Sequence, residues 1–256
     1  MEFGKVGVEL ELAVVRKVKN VYTTEDLVDV YSVVKNGIES RYGFVKTDAG
    51  RHQLEISLYP VDIAQIKEIP NMILYELENI RKMLGDVEFV FEGVLNLEDN
   101  IDIWTLWAPK ERYQCLFSYL KRKSPKWYLV KNAVIYNALH IHIETKDVFN
   151  ENIILNGNYE LLDVLINRGW ASIERITWWQ RGWAPIERIL PSKDTDLKKY
   201  YEQIEPIDGL PKENTVWWYV RPRPDLQTIE FRILDTVNPE NIVERINFLL
   251  EWIRTK

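Results

Sequence analysis

The chain has 256 residues, enough to bury a real core in one large domain or two small ones. Its 46% apolar and 28% charged composition is ordinary for a globular protein, and its net charge of −6 argues against non-specific nucleic-acid binding. The single cysteine, Cys115, excludes an internal disulfide and suits a reducing compartment. No stretch reads as a signal sequence or a membrane span, so a cytoplasmic protein without a membrane partner is expected.

Residues 5–18 read as the first strand. Glu9 and Glu11 fall on one face, and Val6, Val8, Leu10, Leu12 and Val14 on the other. Thr23 or Thr24 then caps a predicted helix whose Leu27, Val30, Tyr31, Val34 and Ile38 repeat at threes and fours, with Gly43 beyond its end. Residues 44–58 predict a hairpin turning near Ala49-Gly50, with Gln53, Glu55 and Ser57 on its polar side. A second helical segment over 62–84 should bend or break at Pro70, and 86–95 should return as a strand.

Residues 108–131 interleave lysines and arginines with Tyr113, Phe117, Tyr119, Trp127 and Tyr128. An amphipathic helix ending at Ser124-Pro125 explains this pattern more simply than a nucleic-acid surface, with a part in gathering anionic nucleotide as a middle reading. Residues 132–144 form the histidine strand, with His140 and His142 pointing one way. A loop-rich stretch leads to a helix over 159–167. Trp170, Trp178, Trp179 and Trp183 then alternate with Arg168, Arg175, Arg181 and Arg188, which suits either a packed core or a wall for a planar base or carboxylate. Residues 191–214 read as an excursion between elements. In the closing strand Thr228, Glu230 and Arg232 oppose Ile229, Phe231 and Ile233. A C-terminal helix then begins at Asn238-Pro239, with Ile242, Ile246, Leu249, Leu250 and Ile253 on one face.

Four strands therefore present Glu9, Glu11, Glu55, His140, His142, Glu230 and Arg232, each opposite an apolar side. One wet sheet face produces the same alternation, so no single strand is decisive. Together the residues form a set rich in hard oxygen ligands, which favours Mg²⁺ or Mn²⁺. Arg221, Arg223 and Arg232, with Pro222 and Pro224 stiffening the approach, suit a polyanion. No glycine-rich phosphate loop is present, so metals and arginines would have to hold any ATP.

The order Gly7-Val8-Glu9-x-Glu11, Gln53-x-Glu55-Ile56, His140-x-His142, then Trp218-x-x-Arg221-Pro222-x-Pro224 and Thr228-x-Glu230-x-Arg232 resembles the glutamate–cysteine ligase type 2 family of carboxylate–amine ligases. The resemblance spans most of the chain. It implies one α+β catalytic domain over residues 1–256, a curved antiparallel β-sheet with helices packed on one face, as in glutamine-synthetase-like catalytic domains. It implies ATP with Mg²⁺ or Mn²⁺, held by Glu9, Glu11, Glu55, His140 and Glu230. Arg221 and Arg232 would hold nucleotide or transferring phosphate and act in catalysis with His142, near substrate, while Arg223 is expected from its place beside them to join in binding the nucleotide. The expected substrates are a small carboxylate, glutamate in the family, and an amine. Tyr219 stands where the family commonly has an acid, and Arg223 where it has a small polar residue. Beside the ligase stand a phosphotransferase, a zinc hydrolase built on the histidines, and a non-catalytic binding module. Oligomeric state, a homo-oligomer included, is left open.

Overall fold

The first strand is the longest, and everything else is hung on it. In the computed structural model, which describes residues 3–194 and 196–256, β1 (Lys5–Val15) buries Val6, Val8, Leu10, Leu12 and Val14 on one side. The other strands are β2 (Ile38–Glu39), β3 (Gly43–Thr47), β4 (Gln53–Leu58) and β5 (Val61–Asp62). They are followed by β6 (Glu88–Val90), β7 (Ala138–Glu144), β8 (Val220–Arg223) and β9 (Thr228–Asp235). They form one nine-stranded sheet in the order β2-β3-β4-β1-β7-β9-β8, with β5 and β6 each pairing one end of β1. Every pairing is antiparallel, and the sheet is open.

The helices are α1 (Tyr31–Val34), α2 (Ile69–Leu84), α3 (Glu111–Lys123), α4 (Glu151–Tyr159) and α5 (Leu161–Asn167). They continue as α6 (Ile173–Gln180), α7 (Ile186–Ile189), α8 (Leu197–Gln203) and α9 (Ile242–Arg254). Ile73, Leu77 and Ile80 of α2 and Ile246, Leu249 and Ile253 of α9 join Leu10, Leu12, Ile56, Ile141 and Phe231 in the main core. Trp252 of α9 sets its ring edge-on to Phe231 at 6.2 Å. Each such side chain contributes about 1.5–3 kcal/mol when taken from water, and this apolar layer holds the sheet.

The histidine strand begins only at Ala138, after a 3-10 segment over Trp127–Ile135, and the strand expected over 86–95 shortens to Glu88–Val90. Three further local expectations change. The helix expected to start at Thr23 or Thr24 shrinks to the single turn of α1, and Ile38 joins β2. Val28, Val30, Val33 and Val34 are β-branched, and the backbone of this stretch bonds to the sheet instead: Val28 N donates to Val14 O and Tyr31 N to Arg51 O. Pro70 lies in the first turn of α2, after a 3-10 segment over Ile63–Glu68, so it opens the α-helix and does not break it. The stretch expected as loop before residue 159 contains α4, whose N-cap Asn150 accepts a hydrogen bond from Ile153 N at 3.1 Å.

α4 matters because it clamps the edge strand. Asn158 Nδ2 donates to Val220 O at 2.6 Å, and Val220 N donates back to Asn158 Oδ1 at 3.3 Å. A Cβ on Gly157 would lie 2.5 Å from Val220 Cγ2, so only glycine allows this approach. The amide pair and the close contact fix β8, which carries Arg221, and cover an otherwise open sheet edge.

Candidate functional site

The registers bring the polar faces of five strands side by side. Glu11 lies opposite Glu55, and Glu9 lies between Ser57 on β4 and His140 on β7. His142 lies opposite Glu230, which lies opposite Arg221. All the residues singled out from the sequence therefore stand on one face, opposite the face covered by α2 and α9.

They do not contribute equally to one point. One ligand atom each from Glu9, His142 and Glu230 lies within 4.8 Å of the others. His142 Nε2 and Glu230 Oε1 are buried and have no hydrogen-bond partner among the described residues. A buried acceptor left unpaired costs about 1–3 kcal/mol, so two beside one another mark a place where something else binds. Two carboxylates and an imidazole fit a hard divalent cation. His142 Nδ1 lies 3.2 Å from Thr228 Oγ1, which orients the ring so that Nε2 faces the carboxylates. His140 sits at the centre of the row, with Nδ1 3.1 Å from Glu9 and 3.8 Å from Glu230, and Nε2 3.6 Å from Glu11. Glu55, opposite Glu11, pairs with Lys46 Nζ, 3.0 Å distant, and accepts from Ser57 Oγ at 2.8 Å.

The three arginines divide in the same way. Arg221 Nε donates to Glu230 Oε2 at 2.6 Å, and its Nη1 donates to the carbonyls of Val216, at 2.6 Å, and Glu213. Arg223 spans Asp225 and Glu230. Arg232 differs: its Nε is buried without a hydrogen bond among the described residues, 3.6 Å from Glu230 Oε1. A bulge aims it. Between the pairs Leu139–Leu234 and Ile141–Phe231 the register shifts, so Arg232 and Ile233 together oppose His140. Arg175 of α6 donates to the freed carbonyls of both residues and to Asp235 Oδ1 at 2.8 Å.

Beyond Arg232 and His140 opens a cavity of about 230 Å³. Its floor includes Glu11, His140 and Arg232, and its walls are aromatic. Trp178 stacks on Trp183 at 5.3 Å, Trp183 meets Trp217 at 4.9 Å, and Trp107 meets Tyr113 edge-on at 4.9 Å. Of the sequence's tryptophan cluster, Trp178, Trp179 and Trp183 line this space, while Trp170 lies apart against Phe248 and Arg245.

Charges along the row are strongly displaced. Burial would raise Glu9 and Glu230, but His140 and His142 pull Glu9 well below the usual carboxylate range, and Arg221, His142 and Arg232 do the same to Glu230. Burial, with Asp48 and Glu55 nearby, pushes Glu11 well up, and burial with Glu9 raises Glu55. Burial and Arg232 lower His140 below its ordinary value. The acidic row is thus split, with Glu9 and Glu230 shifted down and Glu11 and Glu55 shifted up.

Several site residues had no signal in the sequence. Asp48, in the turn of the β3–β4 hairpin, accepts at its carbonyl from Tyr113 OH at 2.9 Å, and its carboxylate faces Arg112 at 3.7 Å. Lys110 donates to Thr47 O, and burial with Arg112 lowers its pKa to about 8. The basic-aromatic segment over 108–131 therefore supplies a cavity wall through α3. Trp107, Asn214 and Trp217 come from irregular stretches, where no period betrays a facing direction.

Fold and site together define an α+β protein with an open antiparallel sheet, apolar and helix-covered on one face, ionic on the other. No protein-family model matches the sequence, and no curated protein matches it. Among solved structures the chain is similar to a bifunctional glutathione synthetase from Pasteurella multocida, with a TM-score of 0.48 and 13% identity over 96% of this chain and 38% of that one. It is also similar to the glutamine synthetase of Plasmodium falciparum, with a TM-score of 0.38 and 13% identity over 99% of this chain and 53% of that one. The chain thus spans between a third and little more than half of these proteins' lengths. No helix among the described residues is long and apolar enough to cross a membrane.

Proposed function

We propose that the chain is an ATP-dependent carboxylate–amine ligase, which activates a carboxylate as an acyl phosphate and passes it to an amine. The observation that supports this most is the convergence of Glu9, His142 and Glu230, with two buried atoms that lack a hydrogen bond among the described residues, beside Arg232, whose Nε lies 3.6 Å from Glu230 Oε1. The family resemblance implied Glu9, Glu11, Glu55, His140 and Glu230 as ligands; the geometry favours His142 as a member of the inner set. Glu9, His142 and Glu230 would hold Mg²⁺ or Mn²⁺, with Glu11, Glu55 and His140 beside them. Such an ion, when bound, neutralises charge on phosphate oxygens.

The protein's own groups have distinct parts in this scheme. Arg221 and Arg223 hold Glu230 ionised and still. Arg232 donates to the phosphoryl group as charge develops on it. A substrate carboxylate oxygen attacks the terminal phosphorus of ATP, the bond to the bridging oxygen breaks, and ADP leaves with that electron pair. The amine nitrogen then attacks the acyl carbon and phosphate departs. Glu11 lines the cavity with a raised proton affinity and is placed to take the amine's proton. No covalent nucleophile is required, consistent with a chain whose one cysteine, Cys115, is not among the cavity-lining residues.

The test is to incubate the protein with ATP, Mg²⁺, a panel of carboxylic acids and hydroxylamine. ADP together with a hydroxamate supports the ligase. ADP with neither hydroxamate nor amide replaces it with a phosphotransferase. Metal and nucleotide binding without any ADP leaves a binding module.

A further inference from the structure

The aromatic cavity has a chemistry of its own. Among the ionic groups that line it, Glu11 accepts from Ala138 N at 2.9 Å and meets His140, Asp48 faces Arg112, and Arg175 is bound to Asp235. Arg232 stands 3.6 Å from Glu230 Oε1, but its Nε makes no hydrogen bond among the described residues. The indole N–H groups of Trp107, Trp179 and Trp183 are also buried and unpartnered, whereas Trp178 Nε1 donates to Leu129 O at 2.6 Å. An indole nitrogen and a guanidinium can only donate. The buried polar atoms of the lining residues that lack a hydrogen bond are therefore all donors, and the cavity's walls are flat rings.

Resting on the ligase reading for its chemistry though not for its binding, we infer that this cavity holds the acid substrate, and that the acid is an aromatic carboxylate. Its ring packs among Trp179, Trp183 and Trp217, and its carboxylate meets Arg232. A zwitterionic amino acid such as glutamate carries an ammonium that would lie beside Arg232, with the cavity's carboxylates already engaged. A nucleotide base fits the rings less well for reasons of position. His140, part of the cavity floor, is 3.1 Å from Glu9, so the cavity lies next to the cation site with His140 between them. In ATP a ribose and two further phosphates separate the base from the terminal phosphate, so a base held here would carry that phosphate past the triad. A carboxylate held here is delivered to it. In the reaction its oxygen bonds to the terminal phosphorus, and ADP leaves with the electrons of the broken bond.

The experiment compares 3-phenylpropionate, L-glutamate and adenosine as ligands, read by tryptophan fluorescence, and the two acids as substrates, read by ADP and hydroxamate. It uses the wild type, Trp183→Leu, and Ala133→Leu, which fills the cavity from another wall; circular dichroism checks that each variant folds. We expect 3-phenylpropionate to quench fluorescence and turn over at lower concentration than glutamate. Either variant should raise its KM about tenfold or more while KM for ATP stays within about twofold, since losing one buried contact of 1.4 kcal/mol is tenfold. Preference for glutamate with both variants unaffected would overturn the inference and leave the ligase reading standing. Adenosine quenching that the variants abolish, without an effect of the acid, would make the cavity a base pocket and also overturn it. Tight, variant-sensitive binding of 3-phenylpropionate with no ADP formed would support the binding claim while removing the ligase reading.

Discussion

Arg221 Nε donates to one carboxylate oxygen of Glu230 at 2.6 Å, while the other oxygen of that carboxylate is buried and unpartnered. The pair lies directly across β8 and β9. One oxygen is thus spent on holding the side chain still, and the other is left to face Glu9 and His142. Arg221, read from the sequence as a phosphate binder, has its Nε and Nη1 engaged within the protein.

Removing the guanidinium should therefore destabilise the fold before it affects any ligand. Arg221→Ala leaves a buried carboxylate uncompensated, for which a loss of about 3–5 kcal/mol is expected in urea denaturation at pH 7. Because Arg221, His142 and Arg232 depress Glu230 against the effect of burial, its contribution is present above the unfolded carboxylate pKa of about 4.3 and is lost as pH falls toward its folded value. The gap between Arg221→Ala and wild type should narrow on acidification below that point. A variant as stable as wild type at pH 7 would show that the pair is not the anchor described.

Glu11 and Glu55 titrate with the opposite sign. They face one another on β1 and β4, and burial holds both above the usual range. A carboxyl with a raised folded pKa costs stability once pH exceeds its unfolded value, and the cost disappears as pH falls. Glu11→Gln should accordingly raise the Tm at pH 7, at about 2–4 °C per kcal/mol for a chain of this size, and leave it unchanged near pH 4. If Glu11 takes the amine's proton, the same variant should lose amide formation while still binding ATP.

Arg175 is a positioning residue. It makes no contact with the cation site, yet it holds the carbonyls of Arg232 and Ile233 at the bulge. Arg232→Lys keeps charge but loses the fork, and a loss on the order of 2–4 kcal/mol in the barrier is expected. Arg175→Lys should reduce kcat with KM for ATP little changed, and the double variant should show much less than the summed effect. Additive losses would show that the two residues act independently.

Much of this site was legible because a strand's period of two is rigid. Glu9 with Glu11, Glu55 with Ser57, His140 with His142, and Glu230 with Arg232 each had to share a face, and the sheet sets those faces side by side. The bulge at Arg232 had no sequence signal, since it depends on Arg175 and α6 reaching the carbonyls from outside the strand. The choice of His142 over His140 for the inner cluster depends on register and on Thr228, which no single strand reveals. The cavity was half legible: the tryptophans of α6 announced a wall, but Trp107, Asp48 and Trp217 come from turns and irregular backbone. The helix expected after Thr24 failed because three of its five apolar positions, Val30, Val34 and Ile38, are β-branched and the backbone at Val28 and Tyr31 bonds to Val14 and Arg51.

The most direct measurement is Mn²⁺ binding followed by electron paramagnetic resonance of the free ion, with ATP present, for wild type, His142→Ala and Lys126→Ala. Lys126 is exposed and lies outside the sheet that carries the row, so its replacement is the control. Glu9, His142 and Glu230 as the inner ligands predict binding in wild type and in Lys126→Ala. His142→Ala should be weaker by about 10–100-fold or more, since even loss of an outer-shell partner has that effect. Equal Mn²⁺ affinity in His142→Ala and wild type, with both folded, would contradict the cation site on which the proposed chemistry stands.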